Sequence, residues 1–176
     1  SAFDWKADFV PDRHIFGSVG RQLATLSRYR IEHAERLQLP VPPANFISRQ
    51  FEPKDALLAT KLPLSDGGQL TVFNTHLSFV PGVNLFQLKK LKRWALKIST
   101  ETNTKPLILG DLNLPKNLPV AGSNWKSLIQ QNTYPSWGAK IQFDYLLTHG
   151  ANTQVKDLGT IATGISDHLP LRAEIN

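Results

Sequence analysis

The stretch PLILGDLNLP, residues 106–115, carries the clearest fold signal in the sequence. Branched apolar residues run into Gly110, and Asp111 and Asn113 follow directly. An apolar run of this kind is typical of a buried strand, which places the acid and the amide at its carboxyl end. Because burying a carboxylate without a partner costs much free energy, Asp111 and Asn113 are predicted to have a chemical task.

The sequence on both sides of this stretch predicts an α/β protein. Residues 83–99 show apolar side chains at helical spacing, and residues 123–131 are predicted as a short helix capped by Ser123. Strands mixed with helices in this way are typical of a layered α/β architecture. The predicted strands are 56–62, 69–77, 105–110, 141–148 and 169–175, and a turn at 65–68 joins the first two into a hairpin.

Residues 1–55 give a weaker pattern. The only strand predicted there is 22–27, followed by 28–31, and the rest is predicted to form long loops. The prolines that support this interpretation are Pro11, Pro40, Pro42, Pro43 and Pro53.

Composition limits the function classes. A chain of 176 residues with 41% hydrophobic content is predicted to form one domain. It contains no apolar run of the roughly 18 residues that a membrane span needs and no secretory signal at its start. The absence of cysteine excludes disulfides and thiolate chemistry and fits either the cytoplasm, slightly favoured, or the periplasm. The net charge of +6 favours a polyanionic partner.

Polar residues at strand ends carry the chemical information. Alternation along 69–77 places Val72, Asn74 and His76 on one face, with His76 at the strand end. Asp144 is the only charge in the apolar run IQFDYLL and therefore needs a partner. We pair it with His168, because a carboxylate fixes the tautomer of an imidazole and raises its pKa, which suits contact with a phosphate.

Each of these residues also has a purely structural interpretation. A lone histidine is more often a core or surface residue, and an acid after a strand is often a turn former or helix cap. Their combination argues for function, because ligands of α/β sheets collect beyond the carboxyl ends of the strands.

Four ordered motifs resemble the endonuclease/exonuclease/phosphatase superfamily. The resemblance covers about residues 15–176; ATLSRYRI at 24–31 resembles a strand of bacterial members, and Gln87 stands where the family helix carries its glutamine. The four motifs are NTHL at 74–77, LGDLN at 109–113, FDYLL at 143–147 and SDHLPL at 166–171.

The resemblance implies a four-layer α/β/β/α sandwich, in which two mixed sheets pack face to face, and a Mg²⁺-dependent cleft, with Mn²⁺ as an alternative ion. Asp111 resembles the family's base or water-orienting carboxylate, and Asn113 the partner that holds it and the phosphate. His168, oriented by Asp144, resembles the histidine at the scissile phosphate. His76 resembles the second phosphate-contacting histidine, and Asp167 the acid at the metal.

The family's first two strands, which bear a metal-site asparagine and a glutamate, have no counterpart in the sequence. Asp4, Asp8 and Asp12 match neither motif and lie in no strand-like context. The expectation is a domain over 1–176 that is incomplete at its N-terminus.

The predicted function is hydrolysis of a phosphodiester, with nucleic acid as one substrate class. A phospholipid or inositol-phosphate hydrolase and a metal-deficient binding module remain alternatives. The oligomeric state stays open. Trp137 is interpreted either as a cleft-rim aromatic that stacks on a base or sugar or as a core residue. Two groups of basic residues are assigned differently: Lys89, Lys90, Lys92, Arg93 and Lys97 to a solvated helix face, and Arg21, Arg28, Arg49 and Lys54 to the cleft rim.

Overall fold

The computed structural model describes residues 5–10, 13–18, 23–27, 34–41, 55–63, 67–150 and 153–175. These residues form one long helix and eleven strands. The elements are β1 (Trp5–Val10), β2 (Arg13–Ser18), β3 (Ala24–Ser27), β4 (Ala34–Gln38), β5 (Asp55–Pro63), β6 (Gln69–His76), α1 (Val83–Thr102), β7 (Lys105–Asp111), β8 (Trp125–Ser127), β9 (Asp144–His149), β10 (Val155–Asp157) and β11 (Ala173–Ile175).

The central element is a six-stranded mixed sheet with the strand order β4-β5-β6-β7-β9-β8. β6 and β7 pair in parallel, and the other neighbours in the sheet pair antiparallel. A parallel pair needs a crossover connection, and α1 supplies it between β6 and β7. The carboxyl ends of β6 and β7 therefore meet at one edge of the sheet.

The main core lies between this sheet and α1. Phe73 and Ile108 of the sheet and Leu91 of the helix are fully buried, and each such side chain contributes about 1.5–3 kcal/mol through removal from water. The rings of Phe73 and Trp94 meet edge to face, with centroids 5.3 Å apart. The amphipathic spacing along α1 thus determines which face of the helix packs against the sheet.

The opposite face of the sheet is covered by strands. Val72 and its neighbours form a second apolar cluster, against which Ile175 of β11 packs. On the same face, Asn74 Nδ2 donates a hydrogen bond of 2.9 Å to the carbonyl oxygen of Ala24 in β3. β3 belongs to a three-stranded sheet of order β1-β2-β3, and β11 pairs with β10 in a two-stranded sheet. Helix, mixed sheet and smaller sheets therefore form successive layers, and the fourth layer of the sandwich stays a prediction, as does the single domain.

Several predicted elements are confirmed. The hairpin forms from β5 and β6, with a register shift between Ala59 and Lys61. α1 extends the predicted helix by three residues, from Ser99 to Thr102, and β7 and β9 match the predicted strands within three residues. Among the residues that the structure describes, no helix is both long and apolar enough to cross a membrane.

The helix predicted over 123–131 is wrong. Residues Trp125–Ser127 form β8, which pairs antiparallel with β9 at the end of the sheet. Ser123 Oγ donates to the carbonyl oxygen of Val120 and does not cap a helix. Trp125 is buried in the main core, so tertiary packing outweighs the local helical spacing.

Within residues 1–55, β3 confirms the strand predicted at 22–27, but the other described segments are strands and not the expected long loops. β1 pairs with β2 and β2 with β3, all antiparallel, and β4 extends the mixed sheet beside β5. Asp8, which was expected outside any strand, lies in β1 opposite Ile15. Each strand has a weak pattern alone, and the hydrogen bonds with its partner define it. The predicted 28–31 segment lies outside the described residues.

The C-terminal strand is shorter than predicted. Only Ala173–Ile175 form β11, although half-buried and exposed residues alternate from Leu169 onward as expected. His168 therefore lies in the segment before β11 and not within the strand.

Candidate functional site

Three neighbouring strands bring three polar side chains to one edge of the mixed sheet. His76 ends β6 and is in register with Asp111, which ends β7. Asp111 is in turn in register with Asp144, the first residue of β9. Because β9 runs antiparallel to β7, its first residue lies beside the last residue of β7.

Gly110 allows β6 and β7 to approach each other at this edge. Its φ is +132°, a conformation that residues with a side chain rarely adopt, and a Cβ built there would lie 1.9 Å from the carbonyl oxygen of Thr75. The glycine in the motif is therefore required by backbone contact beside Asp111.

Asp111 and Asn113 form a tight turn that aims the carboxylate. The backbone N–H of Asn113 donates to Asp111 Oδ1 at 2.9 Å, and Asn113 adopts a left-handed φ of 50°, which asparagine tolerates. Its side-chain amide donates to the carbonyl oxygen of Leu77 at 3.0 Å and lies 3.4 Å from Asp111 Oδ2. Asn113 thus ties the end of β7 to the end of β6.

The predicted pair of His168 and Asp144 is present. His168 Nδ1 lies 2.7 Å from Asp144 Oδ2, with both side chains partly buried. Burial alone would lower the pKa of His168, but the hydrogen bond to Asp144 and the charges of Asp144, Asp111 and Asp167 outweigh it and raise that pKa above its usual value. The imidazole is therefore held toward its protonated, cationic form.

Aromatic residues and loop contacts hold His168 in place. The Tyr134 and Phe143 rings lie 5.0 and 6.4 Å from its ring, centroid to centroid. The backbone N–H of Ser136 donates to the carbonyl oxygen of Asp167 at 2.7 Å, and that of Leu169 donates to the carbonyl oxygen of Thr133 at 2.8 Å. The segment before β11 is thereby pinned on both sides of the imidazole.

The Asp111 carboxylate lies between the two imidazoles. Its Oδ2 is 3.4 Å from His76 Nε2 and 3.9 Å from His168 Nε2. These groups line an open cleft of about 760 Å³, which we term the strand-end cleft. All six residues singled out in the sequence line it: His76, Asp111, Asn113, Asp144, Asp167 and His168.

The cleft offers donors that suit a divalent ion. Ligand atoms of Asp111, Asp144 and His168 all lie within 4.8 Å of one another. Carboxylate oxygens are the ligands that Mg²⁺ prefers, and it commonly binds through one or two of them together with substrate phosphate oxygens. The two carboxylates therefore fit Mg²⁺, and Mn²⁺ accepts the same oxygen ligands, whereas the His168 imidazole in its cationic form offers no lone pair to a metal.

Sequence reasoning named Gln87 only through the family resemblance and missed Ser78 and Asn84, which support the site from behind together with it. Ser78 follows the NTHL motif, and its backbone N–H donates to Gln87 Oε1 at 2.8 Å. Gln87 Nε2 donates to the carbonyl oxygen of Pro40, and Asn84 Nδ2 donates to that of Asn113. Asn84 and Gln87 are polar residues on the buried face of an amphipathic helix, which is the signal that could have identified both.

The other assignments have mixed outcomes. Trp137 is 78% exposed, so the core alternative is wrong, and it is not part of the lining of the strand-end cleft. Phe79, which was not singled out, lines the cleft. Lys92 is half-buried and not fully solvated: it donates to the carbonyl oxygen of Pro119 and lies over the Trp125 ring. The rim candidates Arg21, Arg28, Arg49 and Lys54 lie outside the described residues.

The strand order and the position of the cleft define an α/β fold with an acid–imidazole site at the sheet edge. Comparison with solved structures shows that this is the endonuclease/exonuclease/phosphatase fold, as the motifs predicted. The sequence matches no protein-family model and no curated protein.

Three solved structures illustrate the likeness. A mannosyl-6-phosphatase of Bacteroides thetaiotaomicron has a TM-score of 0.67 at 13% identity, over 99% of this chain and 77% of that one. A Staphylococcus aureus beta toxin variant with bound magnesium ions has a TM-score of 0.64 at 17% identity, over 87% of this chain and 67% of that one. The human Nocturnin catalytic domain with bound sulfate has a TM-score of 0.57 at 16% identity, over 84% of this chain and 60% of that one. At these identities the likeness shows a shared fold.

Proposed function

We propose that the protein is a Mg²⁺-dependent phosphoesterase that hydrolyses a phosphodiester, with nucleic acid as one substrate class. The observation that supports this most is the partly buried pair of His168 and Asp144 beside the Asp111 carboxylate in one cleft. The fold shared with a phosphatase and with a magnesium-bound toxin also supports it. The same likeness favours the complete four-layer sandwich.

His168 contacts the scissile phosphate in this proposal. Nδ1 is engaged by Asp144, so Nε2 is the ring nitrogen that presents a proton. A cationic imidazole held by a carboxylate stabilises the negative charge that develops on the phosphate oxygens. Asp144 is a positioning residue, because it acts through His168. His76, on the other side of Asp111, is the second phosphate-contacting imidazole.

Asp111 orients the attacking water and accepts its proton. Its Oδ1 is held by the backbone N–H of Asn113, which leaves Oδ2 directed between the imidazoles. A carboxylate fixed in this way is pre-organised for in-line attack on the phosphorus. Asn113 keeps it in place through the contact with Leu77.

Asp167 is the proposed metal ligand. Its side chain is exposed in the strand-end cleft, whereas Asp144 is engaged by His168 and Asp111 by Asn113. Asp111 and Asp144 offer further oxygen donors in the same cleft, within 4.8 Å of each other in a group that does not include Asp167. A bound divalent ion supplies positive charge to the non-bridging phosphate oxygens.

The decisive experiment uses bis(p-nitrophenyl) phosphate, a generic phosphodiester, with the purified chain and Mg²⁺. Release of p-nitrophenol is expected with Mg²⁺ and not with chelator. Asp111→Ala and His168→Ala are each expected to lower kcat at least about 100-fold, on the scale of a lost acid–base or oxyanion-stabilising group.

Lys97→Ala, an exposed residue of α1 outside the cleft, is the control and keeps full activity. Full activity of the double variant Asp111→Ala/His168→Ala would overturn the assignment. Absence of both hydrolysis and Mg²⁺ uptake by calorimetry would favour the non-catalytic binding module. Hydrolysis of phospholipid headgroups with nucleic acid untouched would identify the lipid alternative.

A further inference from the structure

A second pocket, of about 360 Å³, lies beside the strand-end cleft and has different chemistry. We term it the lysine–amide pocket. Its polar lining comprises two lysines and four side-chain amides: Lys116, Lys140, Asn117, Gln130, Asn132 and Gln142. None of the described residues that line it is acidic.

Two segments of the chain contribute residues to both this pocket and the strand-end cleft. Pro115 lines the pocket and is two residues from Asn113, which lines the cleft. Gln142 lines the pocket next to Phe143 of the cleft. Two residues of chain span at most about 7 Å, so the walls of the two sites are continuous.

A buried tyrosine holds the two walls of the pocket together. Tyr145 Oη lies 2.7 Å from the carbonyl oxygen of Leu114, 2.8 Å from that of Lys116 and 3.0 Å from that of Gln142, so its one hydrogen is shared among carbonyl oxygens of both walls. Burial, followed by the charge of Asp144, raises the pKa of Tyr145, so its hydroxyl stays protonated and able to donate. The backbone N–H of Lys140 donates to the carbonyl oxygen of Tyr134 at 2.9 Å, which fixes the second lysine's backbone. The lysines therefore extend from anchored positions.

The two sites carry opposite charge. The lining of the strand-end cleft includes three carboxylates and, among the described residues, no lysine or arginine. The lysine–amide pocket has two cations and several amides. Gln142 Nε2 donates to the carbonyl oxygens of Ile129 and Asp144. Asn117, Gln130 and Asn132 are exposed residues at the pocket. Ammonium and amide N–H groups together are the donors that bind phosphate.

We propose that the lysine–amide pocket binds a second phosphate group of the substrate while the scissile phosphate occupies the strand-end cleft. The inference rests on the proposed phosphoesterase function and adds the substrate class: a phosphodiester that carries a further phosphate. That phosphate can belong to an adjacent nucleotide of a nucleic acid or to a bisphosphorylated small molecule. Lys116 and Lys140 are the specificity-determining residues.

The test uses the p-nitrophenyl phosphodiester of thymidine, with and without a second phosphate on its free hydroxyl, and a short oligonucleotide. For Lys116→Gln/Lys140→Gln, we expect KM to rise about tenfold for substrates with a second phosphate, because two screened cation–phosphate contacts are lost. KM for the substrate with one phosphate and kcat for all substrates stay unchanged. The KM difference should shrink at high salt.

The matched control is Lys97→Gln/Lys126→Gln, which removes the same charge outside the pocket lining and is expected to leave every KM unchanged. A KM increase for both types of two-phosphate substrate supports a general second-phosphate site, and one confined to the oligonucleotide identifies nucleic acid as the source. Equal KM values for wild type and the pocket variant on every substrate would overturn the inference. Lack of hydrolysis of the one-phosphate substrate by wild type contradicts the proposed function instead.

Discussion

The contact between His168 Nδ1 and Asp144 Oδ2, 2.7 Å long, links stability to pH at the scale of single residues. The raised pKa of His168 means that the folded state holds this proton more tightly than the unfolded chain does. The resulting stabilisation is fully present below the ordinary histidine pKa of about 6.5 and is lost as the pH rises through the folded value.

Asp144→Asn tests this linkage. At about pH 6 the variant is expected to lose about 1.5–3 kcal/mol of unfolding free energy, the range for hydrogen bonds to charged groups, and to lose less at about pH 9. Urea denaturation in chelator at the two pH values measures both deficits. Equal deficits would show that the pair does not hold its proton in this way. The His168 pKa, followed by NMR, should also fall in the variant.

Gly110 is the other residue at which a single substitution has a sharp structural consequence. Gly110→Ala places a Cβ against the Thr75 carbonyl oxygen in a φ region that alanine rarely adopts. We expect a loss of about 2–5 kcal/mol in unfolding free energy from overpacking and backbone strain. Gly138→Ala is the control, because a Cβ there meets no atom within 4 Å. Thermal denaturation of both variants checks the prediction, and similar melting temperatures would contradict it.

The pairing of His168 with Asp144 could be predicted from the sequence, because a lone carboxylate in an apolar strand requires a partner. The exact donors around Asp111 could not. Asn113 engages Leu77 through a left-handed turn whose geometry depends on where β6 ends beside β7. Sequence spacing specifies residue types at a site more readily than it specifies hydrogen-bond partners.

At the scale of elements, α1 supports the site through Gln87. This side chain is fully buried and bridges Ser78 N–H and the Pro40 carbonyl oxygen. Gln87→Met keeps the volume but leaves both backbone groups without this partner, so we expect a loss of about 2–4 kcal/mol in unfolding free energy.

Chemical denaturation measures the Gln87→Met effect, with Lys90→Met as the control on the same helix. Lys90 Nζ contacts the carbonyl oxygen of Gln38 at an exposed position, so its loss should change stability by less than about 0.5 kcal/mol. If the two variants were equally stable, Gln87 would not be the anchor of the loop after β6.

Lys92 of α1 makes a second pH-dependent contact in the molecule. Its effect on stability has the opposite sign to that of the His168–Asp144 pair. Burial lowers the pKa of Lys92 from 10.5 to about 8. Between these values the unfolded chain binds more protons, so the stability of wild type relative to Lys92→Met should rise with pH. The expected rise is on the order of 1–2 kcal/mol, below the full linkage value, because the ammonium is only half-buried and solvent screens it. Denaturation of both proteins at about pH 7.5 and about pH 10 measures the change, and a fall with pH would contradict it.

The predicted elements succeeded where the local pattern and the tertiary contacts agree. α1 has a long amphipathic pattern, and its apolar face packs against the sheet. β8 has three residues and depends on β9 for its hydrogen bonds and on the core for the burial of Trp125. A segment of this length has too little periodicity to outweigh a local cap signal such as Ser123.

At the scale of the whole molecule, the strand-end cleft was easier to predict than the sheets that surround it. Its residues lie at or near the ends of strands whose apolar runs are evident in the sequence, and sheet geometry brings strand ends together. The sheet β1-β2-β3 depends on long-range antiparallel pairing, for which the sequence of each strand gives little indication. The position of the candidate site was therefore easier to predict from this sequence than the complete topology.

Asn74 attaches the three-stranded sheet to the mixed sheet. Asn74, at the centre of β6, donates to the carbonyl oxygen of Ala24 and lies 3.5 Å from Thr25 Oγ1, so one side chain bridges the two sheets. Asn74→Val suits a strand and fits the apolar neighbourhood of Val72 but removes this donor, leaving the Ala24 carbonyl oxygen without it.

We expect Asn74→Val to raise hydrogen exchange at the amides of 24–27 about tenfold or more, since one lost hydrogen bond of about 1.4 kcal/mol is a factor of ten in opening. Exchange at the amides of β7 should change little, because its ladder with β6 is backbone only. Deuterium uptake by mass spectrometry resolves the two segments. Equal protection of 24–27 in wild type and variant would mean that apolar packing alone attaches the smaller sheet. Slower exchange at 24–27 in the variant would mean that burial of the Asn74 side-chain amide destabilises this contact more than its hydrogen bond stabilises it.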